Sequence, residues 1–297
     1  IGAPYKTNTN NNKIGHVRVY DYINSSWTQV GSDIDGEDEQ NVGDRSGYSV
    51  AMSSDGNRIA IGAIYHPSSH DNYKGTVRIY DYINSSWTQV GSDIDGEAAD
   101  DESGYSVAMS SDGTRIAIGA PYNDGNGSQS GHVRVYDRDT NEALGWKKVG
   151  DDIDGEAYED RSGYSVAMDA SGNRIIIGAI GNDGNGNSSG HVRVYDYDIT
   201  NGWEQVGGDI SGEAVIDLSG WSVAMDASGN RIAIGASGND GNGTNSGHVR
   251  VYDYDTTNGW EQVGDDIDGE AAYDYSGESV AMSSDGTRIA IGAPYND

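Results

Sequence analysis

The chain of 297 residues contains no cysteine, no phenylalanine and only four prolines. Because cysteine is absent, disulfides and thiol chemistry are excluded. No apolar run approaches the ~18 residues that a membrane-spanning helix needs, so we expect no insertion into a membrane. The sequence starts without a methionine or a signal peptide, which indicates a mature or excised segment.

Basic residues are also scarce: 18 lysines and arginines stand against 48 acidic residues, and the net charge is −30. A surface of this sign repels phosphate, which argues against nucleic acids and anionic membranes as partners. It attracts cations, and it suits salty surroundings in which screening weakens the self-repulsion. A surface that is simply well solvated explains the same composition.

Glycine, by contrast, occurs 44 times, which is typical of a chain with many turns. A Ser-Gly pair recurs every 57 to 59 residues, and a tryptophan recurs with the same rhythm. The serines are Ser46, Ser103, Ser162, Ser219 and Ser276, and the tryptophans are Trp27, Trp87, Trp146, Trp203 and Trp260. Five repeats of about 58 residues therefore fill residues 1–297 as one domain.

The repeat over residues 103–160 contains four segments of strand character, separated by turn residues. They are YSVAMS (105–110), RIAIGA (115–120), HVRVYD (132–137) and a segment that starts with WKKVG (146–150). Apolar residues follow a period of two and nowhere a period of 3.6, so the chain is predicted to be all-β. An acidic stretch, DDIDGEAYED (151–160), leads to the next Ser-Gly pair.

The same alternation predicts the two faces of each sheet. We expect Ile116 and Ile118 to share a bulky face with Val133 and Val135, opposite a face of small residues such as Ala117. Burial of the large apolar side chains of one repeat stabilises it by about 10–20 kcal/mol, and ordering its residues costs several times as much. Neighbouring repeats must supply the remaining buried area. Four-stranded units of this length, stacked face to face, predict a β-propeller.

The motif IGAPY stands at residues 1–5 and again at 291–295, so the chain begins within the second strand of a repeat. We expect a ring of five four-stranded blades in which residues 1–35 and 276–297 share one blade, because closure removes an open sheet edge. The two IGAPY copies would then compete for one strand position. A segment cut from a longer array also explains the overlap.

The segment SGYSVAMSSDGTRIAIGAPYNDGNGSQSGHVRVYD (103–137) resembles the FG-GAP repeats of integrin α-subunit propellers and their bacterial and algal relatives. The likeness runs through SG-x-SVA, IGAP and G-x-V-x-V-Y and covers all five repeats, although the proline of IGAP is present only at Pro4, Pro121 and Pro294. It implies a β-propeller at the cell surface or outside the cell, with a role in adhesion or ligand binding. Serine replaces the phenylalanine of the family motif here. The link between the first two strands, SSDG or DASG, is too short for the family's calcium loop, because calcium takes about six to eight oxygens.

The acidic loop before each Ser-Gly pair is the strongest chemical feature. Alternate carboxylates near a glycine turn can converge on a hard cation, and we expect calcium there. The candidate ligands are Asp33, Asp35 and Glu37; Asp93, Asp95 and Glu97; Asp152, Asp154 and Glu156; and Asp266, Asp268 and Glu270. In the fourth copy Ser211 replaces the middle aspartate. A solvated acidic turn that pairs with the arginines of the repeat is the alternative.

A second candidate for calcium is the loop NDGNG at 123–127, 182–186 and 239–243, although such strings also form tight turns.

Arginine recurs at two strand positions, represented by Arg115 and Arg134. Because arginines in partly buried strands need partners, we expect ion pairs between blades, with carboxylates such as Asp137; anion binding is the alternative.

Sequons for N-glycosylation occur in loops at Asn24, Asn84, Asn126, Asn187 and Asn242. The recurring tryptophans are expected to pack in the core, with stacking on a sugar as the alternative. His66 and His70 lie beside Asp71 in one irregular loop, which we interpret as a polar loop; a metal site is the alternative. The repeated histidine of GHVRVY is expected to be structural.

Catalysis needs a singular acid, base or nucleophile, and repeats this similar offer none, so we expect no enzyme. The predicted function is an extracellular or cell-surface module for adhesion, ligand binding or structural assembly. Its partners would be a protein or glycan at the loop faces, or copies of itself, with calcium as the one cofactor considered. The alternative is a propeller enzyme that acts on polysaccharide as a glycosidase or lyase.

Overall fold

The computed structural model describes residues 1–39, 42–69 and 72–296, and these form strands and turns without a helix. Consequently, no helix in this part of the chain is long and apolar enough to cross a membrane. Four complete sheets, which we name blades I to IV, account for most of the strands. They cover residues 46–95, 106–154, 162–211 and 219–268.

The N-terminal strands are β1 (His16–Val17), β2 (Tyr20–Ile23), β3 (Ser26–Gln29), β4 (Ile34–Asp35), β5 (Asp38–Glu39) and β6 (Val42–Gly43). Blade I contains β7 (Ser46–Met52), β8 (Arg58–Ala63), β11 (Thr76–Ile83), β12 (Ser86–Gln89) and β13 (Ile94–Asp95), with a small hairpin of β9 (Pro67–Ser69) and β10 (Asn72–Tyr73) in its loop. Blade II contains β14 (Ser106–Met109), β15 (Arg115–Ala120), β16 (His132–Arg138), β17 (Trp146–Lys148) and β18 (Ile153–Asp154).

Blade III contains β19 (Ser162–Met168), β20 (Arg174–Ala179), β21 (His191–Asp198), β22 (Gly202–Gln205) and β23 (Ile210–Ser211). Blade IV contains β24 (Ser219–Met225), β25 (Arg231–Ala236), β26 (His248–Asp255), β27 (Gly259–Gln262) and β28 (Ile267–Asp268). A C-terminal hairpin of β29 (Ser279–Met282) and β30 (Ile289–Gly292) follows.

In every full blade the first four blade strands pair with one another in chain order, and all of these pairs are antiparallel. This confirms the four predicted strands of the repeat. A fifth, two-residue strand was not predicted. It is the start of the acidic loop, and in blade II it pairs with the beginning of the third strand, His132 opposite Asp154. The acidic loop is therefore fixed beside the repeated histidine.

The predicted faces are right for the first two strands and wrong for the third. In blade II, Ala117 lies opposite Val135, and Ile116 lies opposite Tyr136. The valines thus share the face of the small residues, because the register between strands, rather than the period within one strand, decides which side chains meet. The isoleucine face packs on the preceding blade and the valine face on the following one. Each ridge of isoleucines therefore enters a surface of alanine and valine.

Repeated hydrogen bonds join neighbouring blades. The Ser165 hydroxyl donates to the Gly220 carbonyl of the next blade at 2.7 Å, and Trp203 Nε1 donates to the Val149 carbonyl of the preceding blade at 3.0 Å. Equivalent serine bonds start at Ser49, Ser106 and Ser222, and equivalent tryptophan bonds start at Trp87, Trp146 and Trp260. Four of the five recurring tryptophans thus pack between blades as predicted, whereas Trp27 is 69% exposed.

The terminal segments do not share a blade in the described part of the chain. Gly2 lies against Gly47 and bridges Val17, so residues 1–5 do occupy a second-strand position next to blade I. The hairpin of β29 and β30 pairs only with itself and packs beside blade IV. The expected shared blade is therefore not formed here, since each terminal segment finds its packing surface on its own neighbour. A ring of five blades stays a prediction.

Candidate functional site: histidine–carboxylate clusters between blades

One polar cluster recurs along the stack, at the edge of the blades where the third strands begin. In blades II, III and IV it contains the repeated histidine, the aspartate two residues before the second aspartate or serine of the D-x-D/S-G-E motif in the same blade's acidic loop (Asp152, Asp209 or Asp266) and a glutamate from the preceding loop. Their ligand atoms lie within 4.8 Å of one another. The five clusters are His16, Asp33 and Asp35; His66, Asp93 and Asp95; Glu97, His132 and Asp152; Glu156, His191 and Asp209; and Glu213, His248 and Asp266.

The structure therefore divides the predicted carboxylate triplets between two blades. In the third loop, Asp152 and Asp154 lie near His132 of their own blade, whereas Glu156 lies beside His191 of the next. Asp93 and Asp95 likewise stay together, whereas the glutamate of their triplet contributes to the next cluster. In the first loop, Asp33 and Asp35 lie beside His16, and Glu37 reaches Arg78 of blade I.

In the last triplet, Asp266 and Asp268 lie near His248 at 3.8 and 4.0 Å. Glu270 belongs to none of the clusters found among the described residues. The aspartates and the glutamate of one loop diverge because the loop turns at the intervening glycine. This glycine packs between the loop of its own blade and the first serine of the next one, as Gly155 does between Ser130 and Ser162. Calcium at the predicted triplets is untested and stays a prediction.

In blade I the histidine of the cluster comes from a different position in the sequence. Thr76 occupies the repeat position that holds a histidine in the other blades, and His66 reaches into the cluster from the preceding loop instead. His66 is buried, and its Nδ1 lies 3.3 Å from Arg78 Nη2. His70 and Asp71, named with it in the sequence, lie outside the described residues. The sequence favoured a polar loop for His66 and left a metal site as the alternative, because no repeat position marks this residue.

The second repeated arginine binds the same edge, as predicted for ion pairs between blades. Arg78 is buried and contacts Asp93 of its own blade, as well as Asp44 and Glu37 from the preceding unit, at 2.6 to 2.9 Å. In blades II, III and IV the partner is the glutamate of the preceding loop, at 3.4 to 3.8 Å. The expectation of ion pairs between blades is wrong for the first repeated arginine, because its carboxylate partner lies on the adjacent strand of the same blade, as Arg115 pairs with Asp137 at 2.6 Å.

The histidines of blades II to IV are buried and uncharged at neutral pH. Burial first, and then the nearby positive charge of Arg134, lower the pKa of His132 to about 4. Burial and Arg193 lower the pKa of His191 to about 4 in the same way. Burial and Arg250 also lower the pKa of His248. A neutral imidazole is the form that binds metal ions.

Other sequence candidates have clear local roles. In the NDGNG loop, Asn123 Oδ1 accepts from the Gly125 amide at 2.8 Å, and Asp124 Oδ1 accepts from the Gln129 amide at 2.8 Å. These bonds are those of tight turns. Among the sequons, the side-chain amides of Asn126 and Asn242 each donate to two backbone carbonyls of the next acidic loop. Asn24, Asn84 and Asn187 are exposed.

A groove between blades recurs beside the clusters. Between blades II and III it is lined by Gly150, Asp152, Tyr197 and Trp203, with the two rings 5.2 Å apart. Between blades III and IV the lining residues are Gly207, Asp209, Tyr254 and Trp260, with rings 5.1 Å apart. An aromatic pair beside a carboxylate offers a stacking surface together with a hydrogen-bond acceptor.

One acid departs from the repeat. Glu102 precedes the Ser-Gly pair, where the other repeats carry Arg45, Arg161, Leu218 and Tyr275, and all five have a positive φ. It lies with Tyr122, Asp124 and Gln129 at a surface pocket. Burial raises the pKa of Glu102 to about 7.

Stacked four-stranded meanders that meet through the same hydrogen bonds and the same polar cluster define the chain as a β-propeller protein. The family model described as FG-GAP repeat matches residues 92–136, 152–195 and 211–252. The protein therefore carries FG-GAP repeats, as its motifs indicated.

No curated protein sequence matches the chain. Among solved structures, the Pseudomonas aeruginosa periplasmic gluconolactonase PpgL is similar with a TM-score of 0.62 and 14% identity. The match covers 96% of this chain and 73% of that one. At this identity the likeness shows a shared fold and nothing about activity.

Proposed function

We propose that this β-propeller is a non-catalytic extracellular module that binds carbohydrate through the grooves between its blades. The recurrence of the groove carries the proposal: the same aromatic pair and carboxylate stand at two successive blade junctions. Identical weak sites on one rigid body gain strength together when the ligand is itself repetitive, as a glycan surface is. The net charge of −30 favours neutral or cationic glycans over anionic ones.

The residues that line each groove also determine which blade junctions we expect to bind carbohydrate. At the position of Tyr197 and Tyr254, blade II carries Arg138, so the aromatic pair is not formed there. The guanidinium of Arg138 instead lies 5.6 Å from the centre of the Trp146 ring. The equivalent pair of blade I, Tyr82 and Trp87, packs against Val30 and Gly31 of the N-terminal segment, whose strands do not form a complete blade. We therefore assign binding to the two grooves that lie between complete blades and keep the aromatic pair, one between blades II and III and one between blades III and IV.

A glycan array with the purified chain tests this function. We expect saturable binding to neutral glycans, and we expect an immobilised glycan to bind about 10²-fold more tightly than the same sugar free in solution. A variant with both Tyr197→Ala and Tyr254→Ala should lose binding and retain its fold. Tyr22→Ala is the matched control, because Tyr22 stacks on the exposed Trp27 away from both grooves.

Absence of glycan binding, together with particles visible by electron microscopy, would instead make the chain a building block of an assembly. Either outcome concerns the same repeated surfaces, but assembly would not depend on the two tyrosines. Array binding that survives the double substitution would contradict the groove assignment.

An enzyme is the second candidate, and Glu102 favours it. A carboxyl with a pKa near 7 in a pocket is suited to general acid–base catalysis. Hydrolysis of gluconolactone and of polysaccharides should be assayed with the wild type, Glu102→Gln and the matched variant Arg161→Gln. We expect no turnover from any of the three. Turnover that is abolished only by Glu102→Gln would replace the binding proposal.

A further inference from the structure

We propose that the clusters around His191 and His248 each bind one divalent transition-metal ion, whereas a lysine ammonium occupies the corresponding place in the three N-terminal clusters. The proposed ions join neighbouring blades, because each cluster takes a carboxylate from the preceding blade's loop. This inference concerns the blade junctions and does not depend on the carbohydrate ligand proposed above.

Of the two proposed sites, the cluster at His248 has the larger set of ligands. The Nδ1 atom of His248 lies 3.9 Å from Glu213 Oε2, 3.8 Å from Asp266 Oδ2 and 4.0 Å from Asp268 Oδ1. The imidazole side chain is 1% exposed, and its Nδ1 has no hydrogen-bond partner among the described residues. A buried nitrogen that faces three carboxylate oxygens beyond hydrogen-bonding distance needs a partner between them.

The spacing of these atoms is close to that of a metal site. Ligands at about 2.0–2.1 Å from a tetrahedral zinc lie about 3.3 Å from one another. The oxygens would therefore move inward by about 0.5 Å. The carboxylate side chains of Glu213, Asp266 and Asp268 are 45%, 30% and 44% exposed, so rotation of these groups can supply the movement.

The cluster at His191 has one ligand fewer. Its Nδ1 lies 3.8 Å from Glu156 Oε2, and Asp209 completes the group. Ser211 lies opposite His191 in the sheet, where Asp268 lies opposite His248 in blade IV. We therefore expect the His191 site to bind the same ion more weakly than the His248 site.

The donor atoms favour a transition metal over calcium. Calcium takes about six to eight oxygen ligands, whereas each cluster offers one imidazole nitrogen and two or three carboxylates. Imidazole with carboxylate suits zinc and its neighbours in the first transition row. The replacement of the repeat histidine by His66 in blade I keeps the same donor set although the sequence has changed.

In three of the five clusters a lysine side chain contacts one of the carboxylates. Lys6 contacts Asp35 at 2.6 Å, Lys74 contacts Asp95 at 2.6 Å, and Lys148 contacts Asp152 at 2.5 Å. Each lysine ammonium pairs with a carboxylate of its cluster, and its positive charge repels a metal ion at the same place.

At the position of Lys148, blades III and IV carry neutral glutamines. Gln205 donates to Asp209 Oδ1 and Gln262 to Asp266 Oδ1, both at 2.7 Å. At Asp266 the Oδ2 atom remains directed at the histidine. The arginine of blade IV leaves the cluster open as well, because Arg250 faces Oε1 of Glu213 and His248 faces Oε2.

Zinc binding to the full chain, stripped of metal by a chelator, tests the proposal. Calorimetric titration and metal analysis after dialysis should give two zinc ions per chain, one tighter than the other. His248→Ala should remove the tighter site. Gln262→Lys should remove the same site with all ligands in place, because it introduces the lysine of blade II. Lys148→Gln should add a third site.

The substitutions of Gln262 and Lys148 distinguish loss of a metal site from loss of the fold. Gln262 and Lys148 are exposed, and neither substitution alters a proposed ligand. Gln262→Ala should weaken zinc about tenfold, because it removes the group that orients Asp266. Cobalt binding with the absorption of a tetrahedral site is a second expected readout.

Three results would overturn the proposal: no zinc bound, zinc bound in a number unchanged by both lysine exchanges, or calcium bound at these sites more tightly than zinc. The carbohydrate assay is separate, since a chain that binds glycan without zinc would refute only the metal sites.

Discussion

The close approach of glycines between blades makes Gly178→Ala a sharp test of the stacking. A Cβ atom added to Gly178 would lie 3.0 Å from the carbonyl carbon of Gly220 in the next blade, and closer still to its oxygen. Carbon atoms pack at about 3.5–4.0 Å. The two blades would therefore have to separate locally by roughly 0.5–1 Å.

Two costs add up. Overpacking of a tight interface destabilises by about 1–3 kcal/mol. Separation also breaks the hydrogen bond from Ser165 to the Gly220 carbonyl, which is 2.7 Å long and whose loss costs about 1 kcal/mol. We expect a total loss of about 2–4 kcal/mol in the free energy of unfolding. For a chain of this size that corresponds to a fall in Tm of about 3–6 °C, measured by calorimetry.

Gly292→Ala is the matched control, since it changes the same glycine of the same motif in the C-terminal hairpin. There the nearest atom to an added Cβ is the hydroxyl oxygen of Ser279, which can rotate away, and no neighbouring blade stands within contact. We expect a change below about 1 kcal/mol. Equal losses for the two substitutions would refute blade stacking as the source of the glycine requirement.

Three further predictions concern single side chains. Trp203→Phe removes the 3.0 Å bond to the Val149 carbonyl and should cost about 1–3 kcal/mol in urea unfolding, whereas Trp27→Phe, at an exposed position, should cost less than about 0.5 kcal/mol. The pKa of His132 is lowered in the folded state from 6.5 to about 4, so its contribution to stability is present above pH 6.5 and is lost as the pH falls towards 4. His132→Thr, which copies blade I, should therefore flatten the fall of Tm over that range in chelator, and an unchanged slope would contradict the burial of a neutral imidazole. The pKa of Glu102 is raised from 4.5 to about 7, so burial of its charge destabilises the fold increasingly as the pH rises through that interval; Glu102→Gln should raise Tm at pH 8 and leave it unchanged at pH 4, and equal effects at both pH values would count against a perturbed carboxyl.

Sequence periodicity predicted the blade strands well because they depend on local chemistry. The alternation in RIAIGA and HVRVYD, bounded by turn residues, places β15 and β16 within a residue of their observed ends. The two-residue strand β18 was not predicted, since Ile153 and Asp154 form a strand only by pairing with β16. The pairing of the repeated arginines with carboxylates could also be predicted, because buried guanidinium groups require acceptors.

The polar clusters could be predicted only in part. The carboxylates of the acidic loops were recognised, but their division between two blades was not, because it depends on where the loop crosses to the next sheet. His66 illustrates the same limit: its role in blade I follows from spatial proximity to Asp93 and Asp95, and its sequence context resembles an ordinary loop.

By itself, the sequence determined that this protein is an all-β stack of repeated four-stranded units, because alternation, turn residues and repeat length act within a few neighbouring residues. Tertiary structure decided which face Val133 and Val135 share, where each terminal segment packs, and which blade receives each carboxylate. Those features depend on the register between strands and on contacts between residues about sixty positions apart, where the local pattern no longer constrains the chain.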